Sequence, residues 1–262
     1  MTCRVILFVD HEIGYRLLEK IANSHGLHRF EIAAVVTTQE NGDMWWPGVS
    51  TLCQKHNIPL HRYCESFSDS LQYTNIDWYL LLSWKHIIKS PLLTHPNSGI
   101  INLHYSLLPD YRGVYPVNWA IINGEKKTGV TYHLVNANID DGRIICQRET
   151  PIALMDTARS LQLRLDEVAF GLFDELSQWI FHYNPHSNKF LEKAQSNTCY
   201  KSRIDFISSN KINLDLEYKA IDLINLLRGK SFIPSSKNLY MIDPTTGKRI
   251  YIQIKLELDE EE

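Results

Sequence analysis

The chain has 262 residues, enough for one large α/β domain with a small addition or for two modest domains. Its 27 Lys and Arg residues against 30 Asp and Glu residues give a formal net charge of −3, which argues against a general binder of nucleic acid. Hydrophobic residues make up 44% of the chain, and no apolar run approaches the ~20 residues of a membrane span. We therefore expect a folded cytoplasmic protein that does not act at a membrane.

The first part of the chain alternates short apolar runs with amphipathic segments, which is typical of βαβ units and a largely parallel sheet. Continuous apolar runs predict buried strands, whereas an apolar period of three to four residues predicts helices. Strands are predicted at residues 5–9, 30–36, 78–82 and 99–103, and helices at 14–22 and 160–181. Either Asp156 or Thr157 is placed to cap the second helix.

The character of the sequence changes after residue 182, where a polar segment with a proline predicts a domain boundary. Beyond it we expect a small α+β appendage that consists of a helix over 217–227, stopped by Gly229, and a β-hairpin formed by 239–242 and 250–254. The predicted organisation is a domain at 1–182, a linker at 183–202 and a C-terminal region at 203–262. The open edge of the hairpin predicts pairing with a second copy, and so a homodimer.

Several familiar sites are absent from the sequence. The segment after the first predicted strand, DHEIG at 10–14, has neither the glycine pattern of a dinucleotide-binding loop nor a P-loop lysine. A nicotinamide, flavin or P-loop enzyme is therefore not expected. The cysteines form no C-x-x-C pair, so we expect no metal.

Residues 100–152 hold the side chains best suited to chemistry. Alternation along the fourth predicted strand places Asn102 and His104 on one face, near a strand end where open α/β sheets bind ligands. An amide can donate to a developing oxyanion, and an imidazole can move a proton near neutral pH. The turn that begins at Asp140 can direct a carboxylate to the same place and hold the imidazole in position.

The ordered motifs in this region are N-x-H-x-S-L-L-P from Asn102, Y-R-G from Tyr111, T-G-x-T from Thr128 and D-x-G from Asp140. Together they resemble the 10-formyltetrahydrofolate-dependent formyltransferases. The resemblance implies a Rossmann-like formyltransferase fold, 10-formyltetrahydrofolate as co-substrate, and Asn102, His104 and Asp140 as the catalytic residues. In this interpretation Asn102 stabilises the oxyanion, His104 takes the amine proton or stabilises the intermediate, and Asp140 orients His104.

The resemblance also implies where the folate lies, namely in a crevice beside the catalytic strand. The matching segment runs from Leu82 to Ile88. Residues expected at the folate are Ser83, Trp84, Ile88 and Ile139, although side chains of this kind also close the edge of a sheet.

The acceptors of the family include initiator methionyl-tRNA, glycinamide ribonucleotide, nucleotide-linked amino sugars and, in hydrolase relatives, water. The acidic and aromatic segment 37–47 and the short C-terminal region disfavour tRNA, whereas residues 112–121 and 200–206 most resemble the sugar N-formyltransferases of surface-polysaccharide pathways. We favour a dTDP-linked amino-dideoxyhexose, in particular dTDP-4-amino-4,6-dideoxyglucose. The 3-amino isomers, methionyl-tRNA and hydrolysis of formyltetrahydrofolate remain open alternatives.

A nucleotide-linked sugar needs cations for its pyrophosphate and aromatic rings for its base. The candidate cations are Arg112, Arg203 and Arg228. The candidate contacts to the sugar or the base are Trp45, Trp46, Tyr105, Ser106 and Tyr115.

Overall fold

A computed structural model of the chain describes residues 2–24, 29–38, 48–63, 72–184, 200–231 and 239–257. The chain divides into two compact units, one formed by Met1–His104, Thr131–Gln147 and Ala169–Gln195, the other by Tyr105–Val130, Arg148–Val168 and Ser196–Glu262. The boundaries predicted at residues 182 and 203 stay predictions. Among the described residues, no helix combines the length and the apolar character that crossing a membrane requires.

The larger sheet has seven strands within the described residues: β1 (Thr2–Val9), β2 (Arg29–Thr37), β3 (Leu60–Arg62), β4 (Trp78–Leu82), β5 (Gly99–His104), β6 (Lys127–Leu134) and β7 (Ile144–Pro151). Their spatial order is β3-β2-β1-β4-β5-β6-β7. The first five strands pair with their neighbours in parallel: β2 with β3, β1 with β2 and β4, and β4 with β5. The sixth strand, β6, runs antiparallel to β5. The predicted α/β fold with a mostly parallel sheet is confirmed.

The inner strands are buried along their length, as expected when both faces of a parallel sheet are covered. All five residues of β4 are buried, and the run from Val5 to Val9 in β1 is inaccessible to solvent. One core cluster joins Phe8, Val36 and Tyr79 with Ile88, and Trp84 packs against it. Burying apolar area contributes about 25 cal/mol per Å², so these strands contribute much of the stability of the first unit.

The order of the strands fixes where a ligand can bind. The connections from β1 lead to β2 on one side and then back to β4 on the other, which creates a topological switch point between β1 and β4. Open α/β sheets bind ligands outside the carboxyl ends of the strands near such a point. Asp10 follows β1, Ser83 follows β4 and His104 ends β5, so polar residues line this edge.

Six α-helices lie within the described residues: α1 (His11–Ala22), α2 (Val49–Lys55), α3 (Pro116–Ile122), α4 (Ala158–His182), α5 (Arg203–Ser208) and α6 (Ala220–Gly229). The predictions of α1, α4 and α6 are confirmed with shifted ends. Thr157 caps α4, because its Oγ1 accepts a hydrogen bond from the Ser160 backbone N–H at 3.2 Å. Asp156, the other candidate, instead pairs with Arg164 at 2.6 Å.

The end of α6 differs from the prediction, because Gly229 is the last helical residue and Lys230 caps the helix. A Cβ at Gly229 would stand 2.5 Å from the Ile122 side chain and 2.9 Å from the Asn118 carbonyl. The glycine therefore permits close contact between α3 and α6. The predicted hairpin is confirmed as β8 (Tyr240–Ile242) and β9 (Arg249–Tyr251).

Candidate active site

The antiparallel pairing of β5 with β6 brings the first polar side chains of the site together. Asn102 stands opposite His133, and His104 stands opposite Thr131. Because alternate residues of a strand share a face, Asn102 and His104 project to the same side of the sheet. His104 is buried and Asn102 is half-buried. The pair predicted from the sequence thus lies at the carboxyl end of β5.

Asp140 joins this pair from the turn between β6 and β7. Its Oδ2 lies 3.5 Å from His104 Nδ1, and its Oδ1 lies 3.4 Å from Asn102 Nδ2. The Asp140 side chain is largely buried, so both contacts form away from bulk water, where electrostatic interactions are stronger. The structure brings together the three residues that the sequence motif implies, with one carboxylate between an imidazole and an amide.

A close approach of two backbone segments determines the position of Asp140. A Cβ at Gly142 would stand 1.6 Å from the Leu134 carbonyl oxygen, so this turn can pass the end of β6 only with glycine there. The Leu134 N–H donates to the Arg143 carbonyl at 2.8 Å and holds the turn against the strand. Asp140 itself adopts a left-handed conformation with φ of 48°, which aspartate tolerates better than most residues.

His133 is a site residue that the sequence reasoning missed. Its ring is buried, with Nε2 3.1 Å from Asn102 Nδ2 and 3.5 Å from Asp140 Oδ1. The signal was available: the segment from Val130 to His133 is rich in β-branched and aromatic residues, and alternation places Thr131 and His133 on one face. Its pairing with β5, which places the histidine beside Asn102, joins segments distant in sequence and is not visible in the local pattern.

The residues expected at the folate occupy different environments. Ser83 follows β4 with φ of 64°, and its Oγ lies 3.0 Å from His11 Nδ1. The Trp84 ring packs edge-on against Phe8 at 5.2 Å. Ile139 is partly exposed beside Asp140. Ile88 is 7% exposed inside the core cluster, which favours packing over contact with a ligand.

Three of the residues expected at the acceptor lie in the second unit on the segment that follows β5. The Tyr105 hydroxyl donates to Asp166 at 2.5 Å. Ser106 is fully buried and its Oγ donates to the Asp110 carbonyl at 2.6 Å, a bond that closes the loop, and its interpretation as a substrate contact stays a prediction. Tyr115 precedes α3 in a left-handed conformation, and its ring lies against Phe206 with centroids 4.3 Å apart.

The three candidate arginines also differ. Arg228 is 4% exposed, and its guanidinium donates to the Asp156 and Ala153 carbonyls and to Asn225 Oδ1. These hydrogen bonds favour a structural role in the interior of the second unit, and the interpretation of Arg228 as a pyrophosphate ligand stays a prediction. Arg112 is half-buried and Arg203 is exposed at the start of α5.

Trp45 and Trp46 lie outside the described residues, so their interpretation as acceptor contacts stays a prediction. Within the described part of the chain, no group of three or more His, Cys, Asp or Glu side chains is arranged to hold a metal ion.

Two families of known domains match the sequence. The formyl transferase family matches residues 19–174, and the N-formyltransferase dimerization C-terminal domain matches residues 205–258. Methionyl-tRNA formyltransferases are among the similar curated proteins. That of Trichormus variabilis is 27% identical over 92% of this chain and 72% of its own length, and that of Trichlorobacter lovleyi is 29% identical over 72% of this chain and 60% of its own length.

Solved structures with a similar fold include a sugar N-formyltransferase from a Shewanella species, 24% identical, and a 4-N formyltransferase from Francisella tularensis, 21% identical. Each has a TM-score of 0.75, with 98% of this chain and 99% of the other covered. An N-formyltransferase from Helicobacter canadensis, in complex with folinic acid and dTDP-3-aminofucose, is 25% identical over 87% of this chain and 80% of its own, with a TM-score of 0.69.

Proposed function

The chain belongs to the formyl transferase family, and we propose that it transfers the formyl group of 10-formyltetrahydrofolate to the amine of a nucleotide-linked amino sugar. The observation that carries the proposal is the arrangement of Asn102, His104 and Asp140, in which one carboxylate lies within 3.5 Å of both partners. An amide donor, an imidazole and an orienting carboxylate are the groups that acyl transfer to an amine requires.

In the proposed reaction the unprotonated amine attacks the formyl carbon and forms a new C–N bond. Asn102 donates a hydrogen bond to the formyl oxygen as negative charge develops there, which can lower the barrier by about 3–4 kcal/mol. His104 takes the proton that the amine loses, and Asp140 holds the imidazole in place. The bond to N10 of the folate then breaks and N10 gains a proton, so the products are an N-formylated sugar and tetrahydrofolate.

The choice of folate as co-substrate is supported by family membership and by the position of the site. Ser83 and Trp84 follow β4 beside the switch point, where ligands of open α/β sheets bind. The Helicobacter canadensis relative binds folinic acid, a formylated tetrahydrofolate. We propose that Ser83, Trp84 and Ile139 border the folate crevice in this chain.

The choice of a sugar acceptor is supported by sugar N-formyltransferase structures that match nearly the whole length of the chain. The Shewanella and Francisella structures cover nearly all of both chains, including the C-terminal region. We favour dTDP-4-amino-4,6-dideoxyglucose as acceptor and keep a dTDP-3-amino-3,6-dideoxyhexose as the rival. In this proposal the enzyme acts in the cytoplasm as a homodimer and supplies a formylated sugar for surface polysaccharide.

Methionyl-tRNA is the second candidate acceptor, because the Trichormus variabilis relative is aligned over 92% of this chain. The chain spans 72% and 60% of the lengths of the two curated relatives, however, and its net charge is −3. Binding of tRNA relies on neutralising phosphates with basic side chains, so this composition favours the sugar.

An acceptor panel tests the proposal. Release of tetrahydrofolate from 10-formyltetrahydrofolate would be followed with dTDP-linked 4-amino and 3-amino sugars, methionyl-tRNA and buffer alone. We expect turnover with one dTDP-linked amino sugar and the formation of its N-formyl derivative. Turnover with methionyl-tRNA alone would replace the acceptor assignment, and equal release in buffer would indicate a hydrolase.

A further inference from the structure

We propose that His133 is a positioning residue that fixes the orientation of the Asn102 amide for formyl transfer. The proposal rests on the function proposed above, because it concerns the amide that donates to the formyl oxygen. It adds a buried imidazole on β6 to the three residues that the sequence motif supplies.

The tautomer of His133 follows from a backbone carbonyl. Its Nδ1 lies 2.8 Å from the Leu134 carbonyl oxygen, which can only accept a hydrogen bond. Nδ1 therefore carries the proton, and in the neutral ring Nε2 is left with a lone pair. Because the His133 side chain is 2% exposed, bulk water does not compete for either nitrogen.

The lone pair on Nε2 sets which way the Asn102 amide faces. Nε2 lies 3.1 Å from Asn102 Nδ2, so the amide N–H donates to it, whereas the amide carbonyl in that position would oppose another acceptor. Asp140 Oδ1, also an acceptor, lies 3.4 Å from the same nitrogen. Because His133 Nε2 and Asp140 Oδ1 are both acceptors, the amide nitrogen of Asn102, and not its oxygen, faces them.

The two protons of the Asn102 amide then have different roles. One is donated to His133 Nε2, which lies 3.1 Å from Asn102 Nδ2. The other faces Asp140 Oδ1, which lies 3.4 Å from the same nitrogen. Long hydrogen bonds are weak, so a developing oxyanion can replace Asp140 as the acceptor of the second proton at small cost. His133 thus holds the amide by one proton and leaves the other for the substrate.

The backbone anchors this arrangement. The Leu134 carbonyl that fixes the His133 tautomer is the same atom that lies against Gly142 in the turn carrying Asp140. One carbonyl therefore sets the ring that orients Asn102 and borders the turn that delivers the carboxylate. A small displacement of that carbonyl would move both partners of the amide.

The kinetic test compares His133→Leu, which removes the acceptor, with His133→Gln, whose side-chain carbonyl can replace Nε2. We expect His133→Leu to lower kcat by about 10–100-fold, the range that misplacement of a catalytic group produces, with both KM values unchanged. His133→Gln should recover most of the loss. Near-normal kcat in His133→Leu, or an equal loss in His133→Gln, would overturn the proposal.

A double variant tests whether His133 acts through Asn102. Adding His133→Leu to Asn102→Ala should lower kcat little further, because the amide that His133 orients is already gone. If the two losses multiply instead, His133 acts independently of Asn102 and the proposal is wrong.

A spectroscopic test is independent of turnover. In ¹⁵N-histidine-labelled wild-type protein, the signals lost in His133→Gln should belong to a neutral ring protonated at Nδ1. A ring protonated at Nε2 would overturn the proposal, whatever the enzyme's acceptor. Failure of the wild type to release tetrahydrofolate with any acceptor would instead refute the proposed function, while the tautomer would still decide the orientation argument.

Discussion

The Oδ2 atom of Asp140 lies 3.5 Å from Nδ1 of His104. His104 is the last residue of β5, and Asp140 lies in the tight turn between β6 and β7. A carboxylate in this position holds the imidazole with Nδ1 inward, which directs Nε2 away from Asp140. It also stabilises the imidazolium that forms when the ring takes a proton. The pair would therefore supply both the orientation and the charge compensation that the proposed general base requires.

Substitution of the three proposed catalytic residues should lower turnover strongly without unfolding the protein. Asn102→Ala removes the donor to the oxyanion and should reduce kcat by about 100–1000-fold. His104→Asn and Asp140→Ala should also lower kcat by orders of magnitude. Steady-state kinetics and thermal melting of each variant are the measurements. Near-normal turnover in any two of the three would contradict the assignment.

Asp141 offers a matched control for Asp140, because the two carboxylates are adjacent. Asp141 Oδ2 accepts a hydrogen bond from Asn138 Nδ2 at 3.0 Å on the outside of the turn. Asp141→Asn should therefore leave kcat within a few-fold of wild type. A larger loss in Asp141→Asn than in Asp140→Asn would move the catalytic role to the neighbouring residue.

The turn that carries Asp140 should tolerate no side chain at Gly142. A Cβ there would stand 1.6 Å from the Leu134 carbonyl oxygen, so Gly142→Ala must displace β6 or the turn. We expect a loss of at least ~2 kcal/mol in unfolding free energy, typical of steric strain in the interior, together with reduced kcat. Denaturant unfolding and kinetics measure the two effects.

Gly171 provides the control for this substitution. It lies in α4, and a Cβ at this position would meet no atom within 4 Å. Gly171→Ala should stabilise the protein by ~0.5–1 kcal/mol because alanine restricts the unfolded chain and favours helix. If Gly142→Ala behaved like Gly171→Ala, the close approach would not constrain the turn.

The environment of Arg228 predicts a structural effect. Arg228→Met removes the donors to the Asp156 and Ala153 carbonyls, which lie in the interior of the second unit. We expect a loss of ~1–3 kcal/mol in unfolding free energy, the usual cost of an unsatisfied buried group, with an unchanged acceptor KM. A raised acceptor KM at normal stability would instead support the role of Arg228 as a pyrophosphate ligand.

The buried Lys230 should make stability depend on pH. Burial lowers the pKa of Lys230 from 10.5 to about 7, although its Nζ donates to the Phe206 carbonyl, Ser209 and Asn210. Between these two values the unfolded lysine binds a proton that the folded lysine has released. Raising the pH from 7 to 10 therefore favours the folded state.

The Lys230 effect is measured as the difference in unfolding free energy between wild type and Lys230→Met. This difference should shift in favour of the wild type as the pH rises from 7 to 10, because the variant lacks the titrating group. A difference that is constant, or that moves toward the variant, would show that the folded lysine keeps its proton in this range.

The second unit should also form the homodimer. Exposed apolar side chains occur on its hairpin, where Ile250 in β9 is 42% exposed, within the segment that matches the dimerization domain. Ile250→Asp should weaken association, measured by light scattering at micromolar concentration. Leu154→Asp is the control, because Leu154 is 64% exposed but lies outside that segment. A wild-type protein that is monomeric at this concentration would contradict the predicted homodimer.

Much of the sheet could be predicted because its strands are buried on both faces. The runs in β1 and β4 are continuous and apolar, a pattern that few other structures explain. By contrast, β6 carries Lys127, Thr131 and His133 among its apolar residues, so its sequence does not form a continuous apolar run that predicts a strand. Its position opposite β5 depends on pairing between distant segments, which local patterns do not contain.

The candidate site, like the sheet, could be predicted only in part. The order of the motif supplied Asn102, His104 and Asp140, because those residues lie in or beside recognisable turns and strand ends. The burial of Arg228 could not be predicted, since the exposure of a helical arginine depends on what packs against the helix. In the structure that neighbour includes Asp156, far away in the sequence.

Transfer of a formyl group from folate to an amine can be followed through the formyl carbon itself. 10-Formyltetrahydrofolate labelled with ¹³C in the formyl group would be incubated with the enzyme and dTDP-4-amino-4,6-dideoxyglucose or its 3-amino counterpart, and the label followed by NMR. We predict that the label appears in an N-formyl sugar, and that His104→Asn abolishes this transfer. Label found only as free formate, at the same rate with and without the sugar, would contradict the account.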